Sequence, residues 1–118
     1  MAPLQHAETF DVSGTPAHVR EGVLTWFHPY AHRVVVDTVD RLEVLSGSQA
    51  KMRLLGGAFI AASSLPTRTI VTIDAGTGGS RVEVTAQDAV GFGLKTGMRG
   101  KYERWVASIV EGIRAALT

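Results

Sequence analysis

Hydrophobic and polar residues alternate in several short runs over the first ninety residues of the chain. In residues 5–12, for example, His6, Glu8 and Phe10 share one face, and the clearest alternation lies in residues 81–90. Successive side chains of a β-strand point to opposite faces, so this pattern predicts strands. Turn residues separate the predicted strands, which are 5–12, 33–39, 41–46, 50–55, 58–63, 67–75 and 81–90. The second and third are read as one bent strand or two short ones.

Two segments show helical spacing instead. The first, residues 16–28, begins after Thr15, a suitable N-cap, with Pro16 at the first helical position, and it stops at Pro29. The second begins near Thr96 or Gly97 and runs to the end of the chain. Its apolar stripe is wide and consists of Met98, Tyr102, Trp105, Val106, Ile109, Val110, Ile113, Ala116 and Leu117. A stripe of this width needs a sheet or groove to cover it.

These elements predict an α+β fold. We expect a curved antiparallel sheet wrapped around the long C-terminal helix, with the short helix following the first strand. Gly100 and Gly112 interrupt the last helix at about 1 kcal/mol each relative to Ala and are expected to mark a close backbone approach or a bend. The loop at 91–97 is glycine-rich, but a dinucleotide fingerprint belongs in a parallel strand–helix–strand unit, and here no strand follows the helix. We interpret the loop as a rim over a cavity.

Composition sets further bounds. A chain of 118 residues is expected to form one domain, residues 1–118. Its formal net charge of +1 gives no electrostatic case for a nucleic-acid partner. Without cysteine there are no disulfides, thiolate nucleophiles or Cys-ligated metals. The first ten residues lack the pattern of a signal peptide, and no apolar run approaches the roughly 20 residues of a membrane span. A cytoplasmic location is therefore expected.

Some charged and polar residues are expected on the same strand faces as apolar residues, which makes them candidates for catalytic residues. His6 and Glu8 share the face of Phe10, and Asp88 continues the inward phase of its strand. If the first and last strands are neighbours, Glu8 and Asp88 could point into one cavity, where paired carboxylates raise each other's proton affinity and suit general acid–base catalysis. The plain alternative is that both lie at strand ends or return to water. Histidine spacing gives no metal site, and no cofactor is predicted.

Aromatic side chains are the candidate ligand-binding residues. In a pocket they would supply apolar contact area, and the polar tips of Tyr and Trp would orient a ligand. The alternative is that they fill an ordinary core; Tyr30, Phe92 and Tyr102 border loops or a helix start and are expected nearer an opening. The candidates are Trp26, Phe27, Tyr30, Phe59, Phe92, Tyr102 and Trp105.

Three segments carry a resemblance to a known superfamily. They are the start of the first helix (13–19, Ser-Gly-Thr-Pro-Ala-His-Val), a hairpin (78–84, Gly-Gly-Ser-Arg-Val-Glu-Val) and part of the last helix (101–105, Lys-Tyr-Glu-Arg-Trp). With the order of elements, which covers nearly the whole chain, they make it resemble a short member of the helix-grip superfamily of START domains, Bet v 1 allergens and polyketide cyclase-like proteins.

The resemblance implies an apolar pocket between the sheet and the last helix. It implies a protein that binds a small apolar molecule, lipid- or polyketide-like, and it transfers no catalytic residue by position. Two alternatives stay open. One is a cyclase- or dehydratase-like enzyme that uses cavity carboxylates. The other is a ligand-free homodimeric interaction module whose outward-facing Val35, Val39 and Leu45 form an apolar patch.

Overall fold

The strands form a single antiparallel sheet. The computed structural model describes residues 4–51, 61–89 and 98–118. Within them the sheet has five strands in the order β1-β5-β4-β3-β2, so the first and last strands are neighbours. The elements are β1 (Gln5–Val12), α1 (Pro16–Phe27), β2 (His32–Asp37), β3 (Arg41–Ser46), a 3-10 helix (Ala62–Ser64), β4 (Thr67–Gly76), β5 (Gly79–Asp88) and α2 (Met98–Leu117).

Helix α1 begins and ends where its sequence signals are. Thr15 Oγ1 accepts a hydrogen bond from the backbone N–H of His18 at 3.2 Å, and Pro16 occupies the first turn. This cap satisfies one of the N–H groups that has no partner inside the helix. The helix ends at Phe27, just before Pro29. The predicted helix at 16–28 is confirmed to within one residue.

One face of the sheet, the inner face, packs against both helices. Helix α2 lies against β1 and β5, and α1 lies against β4 and α2. The inner face carries the fully buried apolar residues Leu42, Val44, Val71, Val82, Val84 and Ala86. The opposite, outer face of the sheet carries mostly polar side chains. The predicted α+β fold is confirmed, with a five-stranded antiparallel sheet, a short helix after the first strand and a long C-terminal helix.

From Tyr102 to Ile113 and again at Leu117, the apolar stripe of α2 matches the predicted stripe. Tyr102, Ile109 and Ile113 are completely buried, and Leu117 is buried as predicted, whereas Ala116 is exposed and its inclusion in the stripe was wrong. A helix turns about 100° per residue, so Leu117, four residues after Ile113, continues the buried face.

The two predicted strands at 50–55 and 58–63 are wrong where they can be checked. Residues 49–51 are helical, with Ser48 Oγ accepting from the N–H of Lys51 at 3.2 Å, and Ala62–Ser64 is a 3-10 helix. Short apolar runs do not distinguish strand from helix by periodicity alone. Ser48 caps the turn at 49–51, whereas the 3-10 helix at Ala62–Ser64 has no side-chain cap. Residues 52–60 and the predicted rim at 91–97 lie outside the described residues.

Strand β2 is shorter than predicted and contains an irregularity. It ends at Asp37, because Thr38 turns the chain by bonding to Asp40 and to the carbonyl of Arg41. The register between β2 and β3 shifts between Val34 and Val36. The two segments are therefore separate strands, and the bulge lies on an edge of the sheet, where bulges are common.

The hairpin between β4 and β5 is tighter than the gap of residues 76–80 between the predicted strands at 67–75 and 81–90. Gly76 pairs with Gly79, which leaves only Thr77 and Gly78 in the turn. Gly78 has a φ of +79°, a left-handed conformation that residues with a Cβ seldom adopt. This turn fixes the register that aligns the inner-face residues of β4 with those of β5.

Candidate functional site

A row of polar residues crosses the inner face of the sheet at one end. His32 of β2 pairs with Ser46 of β3, Ser46 pairs with Thr67 of β4, and Thr67 pairs with Asp88 of β5. We call these four residues the polar row. Their side chains lie on the inner face, as do the buried apolar residues of the same strands. The inner face is therefore polar at the end of the sheet where β2 and β4 begin.

A pocket of about 420 Å³ opens beside the polar row. It lies where β2 and β4 begin and β3 ends, and we call it the end pocket. Its described lining combines inner-face residues with residues from the outer face and the adjoining turns. The lining residues are Ala31, His32, Arg33, Leu45, Ser46, Gly47, Gln49, Pro66, Thr67, Arg68 and Ala89.

Several buried polar atoms near this end of the fold have no hydrogen-bond partner. Within the described residues they include the hydroxyls of Ser46 and Thr69 and the indole N–H of Trp105. Thr69 is completely buried, and Ser46 is 5% exposed. Folded proteins pair nearly all buried polar groups, because leaving one unpaired costs about 1–3 kcal/mol. Each of these three groups therefore offers a hydrogen-bonding position to an ordered water or a bound molecule.

Four of the predicted ligand-binding aromatics come together. Trp26, Phe27 and Tyr30 are in contact with one another or with Trp105 of α2, and the Tyr30 and Trp105 rings are 5.4 Å apart. We call these four residues the aromatic cluster. Phe27 also lies 5.9 Å from the ring of His32, which connects the aromatic cluster to the polar row. The predicted Phe59 and Phe92 lie outside the described residues.

Tyr102 occupies a different position from the one expected. It is completely buried, and its hydroxyl donates a hydrogen bond to the carbonyl of Pro66 at 2.9 Å. Burial raises the pKa of Tyr102 far above its usual value, and the negative charge of Asp88 adds to the effect. Tyr102 is therefore a neutral hydrogen-bond donor that ties α2 to the start of β4, and it does not line an opening.

The register separates the two carboxylates that were expected to form an acid–base pair. Glu8 lies opposite Val84, four residues from Asp88, which corresponds to about 13 Å along the strand. Glu8 instead accepts a hydrogen bond from Arg114 of α2 at 2.9 Å, with His6 3.9 Å away on its other side. The shared-cavity geometry predicted for Glu8 and Asp88 is therefore absent, because their strands are neighbours but their positions are staggered.

Sequence reasoning missed the most informative polar residues. Ser46, Thr67 and Thr69 were not singled out, although each continues the inward phase of its strand from apolar neighbours such as Val44 and Val71. The sequence did contain a signal for them: a Ser or Thr two residues from a buried apolar residue of the same strand lies on the same face. It is a weak one, since Thr and Ser are common in strands and a pattern cannot tell whether a hydroxyl finds a partner.

The outer face contains a charge cluster that the sequence pattern gave no reason to expect. Glu43 is only 6% exposed, and its two oxygens accept hydrogen bonds from Arg41 at 2.7 Å and Arg68 at 2.8 Å. The hydrogen bond from Arg41, assisted by that from Arg68, lowers the pKa of Glu43 below its ordinary value. Glu43 is therefore a carboxylate clamped between two guanidinium groups.

The apolar outer patch expected for a homodimer is not continuous. Val35 lies at the bulge of β2 and is 40% exposed, while Leu45 is only half-buried on β3. Val39 is 81% exposed but lines a shallow pocket with Pro16 and Ala17 of α1. The three residues thus lie in different surroundings, since the bulge and the turn change the phase between them.

The described residues contain no group of three or more His, Cys, Asp or Glu side chains that could hold a metal ion. Over the same part of the chain, no helix is long and apolar enough to cross a membrane.

Comparison with known proteins supports the fold. No protein-family model matches the sequence, and no curated protein matches it significantly. Among solved structures, protein MLL2253 from Mesorhizobium loti is similar, with a TM-score of 0.56, 11% identity and 96% of each chain covered. The Bet v 1-like allergen Ara h 8.0201 is similar, with a TM-score of 0.51, 12% identity and 96% of each chain covered. The chain thus has a helix-grip-like fold.

Proposed function

We propose that this protein binds one small, mainly apolar molecule, lipid- or polyketide-like, between the inner face of the sheet and α2. The observation that carries the proposal is the set of unpartnered polar atoms of Ser46, Thr69 and Trp105 in an otherwise apolar interior. A ligand with one or two polar groups would supply the missing partners and bury its apolar part against the core.

The surroundings of these atoms favour a ligand over water alone. Ordered water satisfies many buried polar groups. Here, however, Ser46 lines the end pocket, and Trp105 belongs to the aromatic cluster. The end pocket opens to solvent beside Ser46, and the aromatic rings would give apolar contact area for something larger than water. The helix-grip-like fold agrees with this proposal, because Bet v 1-like proteins often bind small apolar molecules between sheet and helix.

Native mass spectrometry of freshly purified protein tests the proposal. We expect a non-covalent 1:1 adduct, or a protein that acquires one when it is offered fatty acids, fatty alcohols and aromatic polyketides. Binding should also raise the melting temperature, because the ligand binds the folded state only. If neither adduct nor thermal shift occurs with any of these compounds, the proposal is wrong.

A matched pair of variants locates the binding. Thr69→Val removes a buried hydroxyl on the inner face of β4, whereas Thr72→Val changes an exposed threonine on the outer face of the same strand. We expect Thr69→Val to weaken binding of a hydroxylated ligand by about 5- to 10-fold, the value of one hydrogen bond. Thr72→Val should leave affinity unchanged. Equal effects of the two substitutions would argue against binding at the inner face.

A further inference from the structure

The end pocket carries a positive charge. Two arginines, Arg33 and Arg68, and the imidazole of His32 line it, and no Asp or Glu is among its described lining residues. Asp88, the carboxylate of the polar row, is not part of the lining, and its charge acts on Tyr102 instead. A concave site lined by one sign of charge attracts ligands of the other sign.

Arg68 is held in place by the charge cluster of the outer face. Its Nη1 donates to Glu43 Oε1 at 2.8 Å, while Arg41 donates to the other oxygen of the same carboxylate. One negative charge is thus shared by two guanidinium groups, and the three side chains keep a net charge of about +1. A guanidinium has five N–H donors, so Arg68 keeps donors that its bond to Glu43 does not use.

Arg33 supplies a second cation without a competing partner. Its side chain makes no ion pair or hydrogen bond to any other residue in the described part of the chain. It lies opposite Leu45, and Leu45 lies opposite Arg68, so the two arginines sit on the same outer row two strands apart. Their Cα atoms are therefore about 10 Å apart, a distance that two long side chains span around one anion.

Ser46 adds a neutral donor from the opposite side of the same pocket. It is 95% buried, given its 5% exposure, and its hydroxyl has no partner although it lines the pocket. The pocket therefore brings together a preoriented guanidinium, an unpaired guanidinium and an unpaired hydroxyl. Carboxylates and phosphates accept several hydrogen bonds from such groups at once.

We propose that the end pocket binds the anionic end group, a carboxylate or phosphate, of an amphiphile whose apolar part lies under α2. This inference rests on the proposed function and narrows its ligand class. Arg33 and Arg68 neutralise the negative charge of the end group at the mouth of the pocket. The Ser46 hydroxyl donates a hydrogen bond to the same end group from the inner side of the pocket.

Isothermal titration with four probes tests the proposal. The probes are decanoic acid, decyl phosphate, 1-decanol and inorganic phosphate, at fixed ionic strength and with the full-length protein. We expect decanoic acid and decyl phosphate to bind about 10-fold more tightly than 1-decanol, and inorganic phosphate to bind far more weakly than either. The two anionic amphiphiles share the end-group chemistry, and inorganic phosphate reports a site for free anions.

Two arginine variants distinguish a direct contact between Arg33 and the ligand from a general effect of the protein's net charge on affinity. Arg33→Gln should weaken decanoic acid about 5-fold and leave 1-decanol unchanged, because only the acid contacts the guanidinium. Arg104→Gln removes the same charge from an exposed position on α2, outside the pocket, and should change neither affinity. Thermal unfolding of both variants confirms that they are folded.

The outcomes distinguish the two proposals. If all the amphiphiles bind equally and Arg33→Gln changes none of them, the anionic site is refuted while the apolar ligand-binding function stands. If only inorganic phosphate binds, the pocket serves free anions, and both the amphiphile and the proposed function are refuted. Absence of binding by all four probes refutes both as well.

Discussion

Trp26 of α1 packs its indole ring against the backbone of α2 at Gly112. A Cβ atom at Gly112 would lie 2.7 Å from Cε2 of Trp26, closer than two carbon atoms approach in a folded protein. The interior glycine of α2 therefore marks a close approach between the two helices, one of the two alternatives that its position in the sequence suggested. The contact sets how deeply α1 and the aromatic cluster sit against α2.

Gly112→Ala should destabilise the protein. Alanine favours the helix by about 1 kcal/mol, but the new methyl group collides with a rigid ring, and overpacking of this kind costs about 1–3 kcal/mol. We expect a net loss of about 1 kcal/mol in the free energy of unfolding, measured by urea denaturation. Gly100→Ala is the control, since a Cβ there meets only Arg104 Nη1 at 3.6 Å, and it should stabilise by up to about 1 kcal/mol. Stabilisation by both substitutions would contradict the close packing.

The overall fold could be predicted because its signals are local. Thr15 and Pro16 mark the start of α1, and the apolar stripe from Tyr102 to Leu117 marks the buried face of α2. Both signals lie within the helix or next to it, so they do not depend on contacts with the rest of the chain. Strand alternation likewise survives in β4 and β5. The predicted strands at 50–55 and 58–63 are wrong at the described residues 50–51 and 61–63, since short apolar runs fit strand and helix equally well and capping by Ser48 is a detail of the structure.

The candidate site was only partly predictable, because it depends on register. The aromatics could be named from residue type, but which of them touch depends on the crossing of α1 and α2. The separation of Glu8 from Asp88 follows from the pairing of Glu8 with Val84, which alternation alone does not give. The clamp on Glu43 needs two arginines, one on its own strand and one on the next. No single-strand pattern contains that information.

Two threonines on the inner face of β4 should respond to valine in opposite ways. Both are completely buried, but Thr67 Oγ1 donates to the carbonyl of Leu65 at 2.9 Å, while the hydroxyl of Thr69 has no partner. Thr69→Val removes an unsatisfied group and should raise the free energy of unfolding by about 1 kcal/mol in ligand-free protein. Thr67→Val removes a hydrogen bond and should lower it by a similar amount. The check is chemical denaturation of delipidated protein, and a loss of stability in both variants would show that Thr69 is satisfied internally.

The bond between Glu8 and Arg114 should couple β1 to α2. The two side chains are partly exposed, at 28% and 50%, so we expect a coupling energy of about 0.5–1 kcal/mol. A double-mutant cycle with Glu8→Gln and Arg114→Gln measures it. The coupling should decrease at 1 M salt, where charges on the surface are screened. A coupling of zero at low salt would mean that Glu8 is not held by the helix and is available for other chemistry.

Glu43 should make stability depend on pH in the acid range. Its folded-state pKa lies below the ordinary value of about 4.3, so its contribution is fully present above that pH and is lost as the pH falls through the folded-state pKa. We expect Glu43→Gln to cost about 1 kcal/mol at pH 7 and progressively less below about pH 4.3.

The control for this experiment is Glu83→Gln, an exposed glutamate on the outer face of β5 that forms no ion pair within the described residues. It should leave stability unchanged at every pH. Asp37, whose pKa is lowered by its hydrogen bonds from Arg20, titrates in the same range, so the difference between wild type and variant is the quantity to follow. A difference that stays constant from pH 7 to pH 3 would contradict the role of Glu43.

The indole N–H signal of Trp105 reports most directly on whether a ligand occupies the interior. The chain has two tryptophans, and a Trp26→Phe variant assigns their two indole signals in a ¹H–¹⁵N correlation spectrum. The Trp105 N–H has no partner in the structure and lies outside the end pocket, so an apolar chain that enters the space under α2 should shift that signal, saturating at one equivalent of decanoic acid. If the protein is titrated to saturation and the Trp105 signal does not move, the molecule does not bind between the sheet and α2.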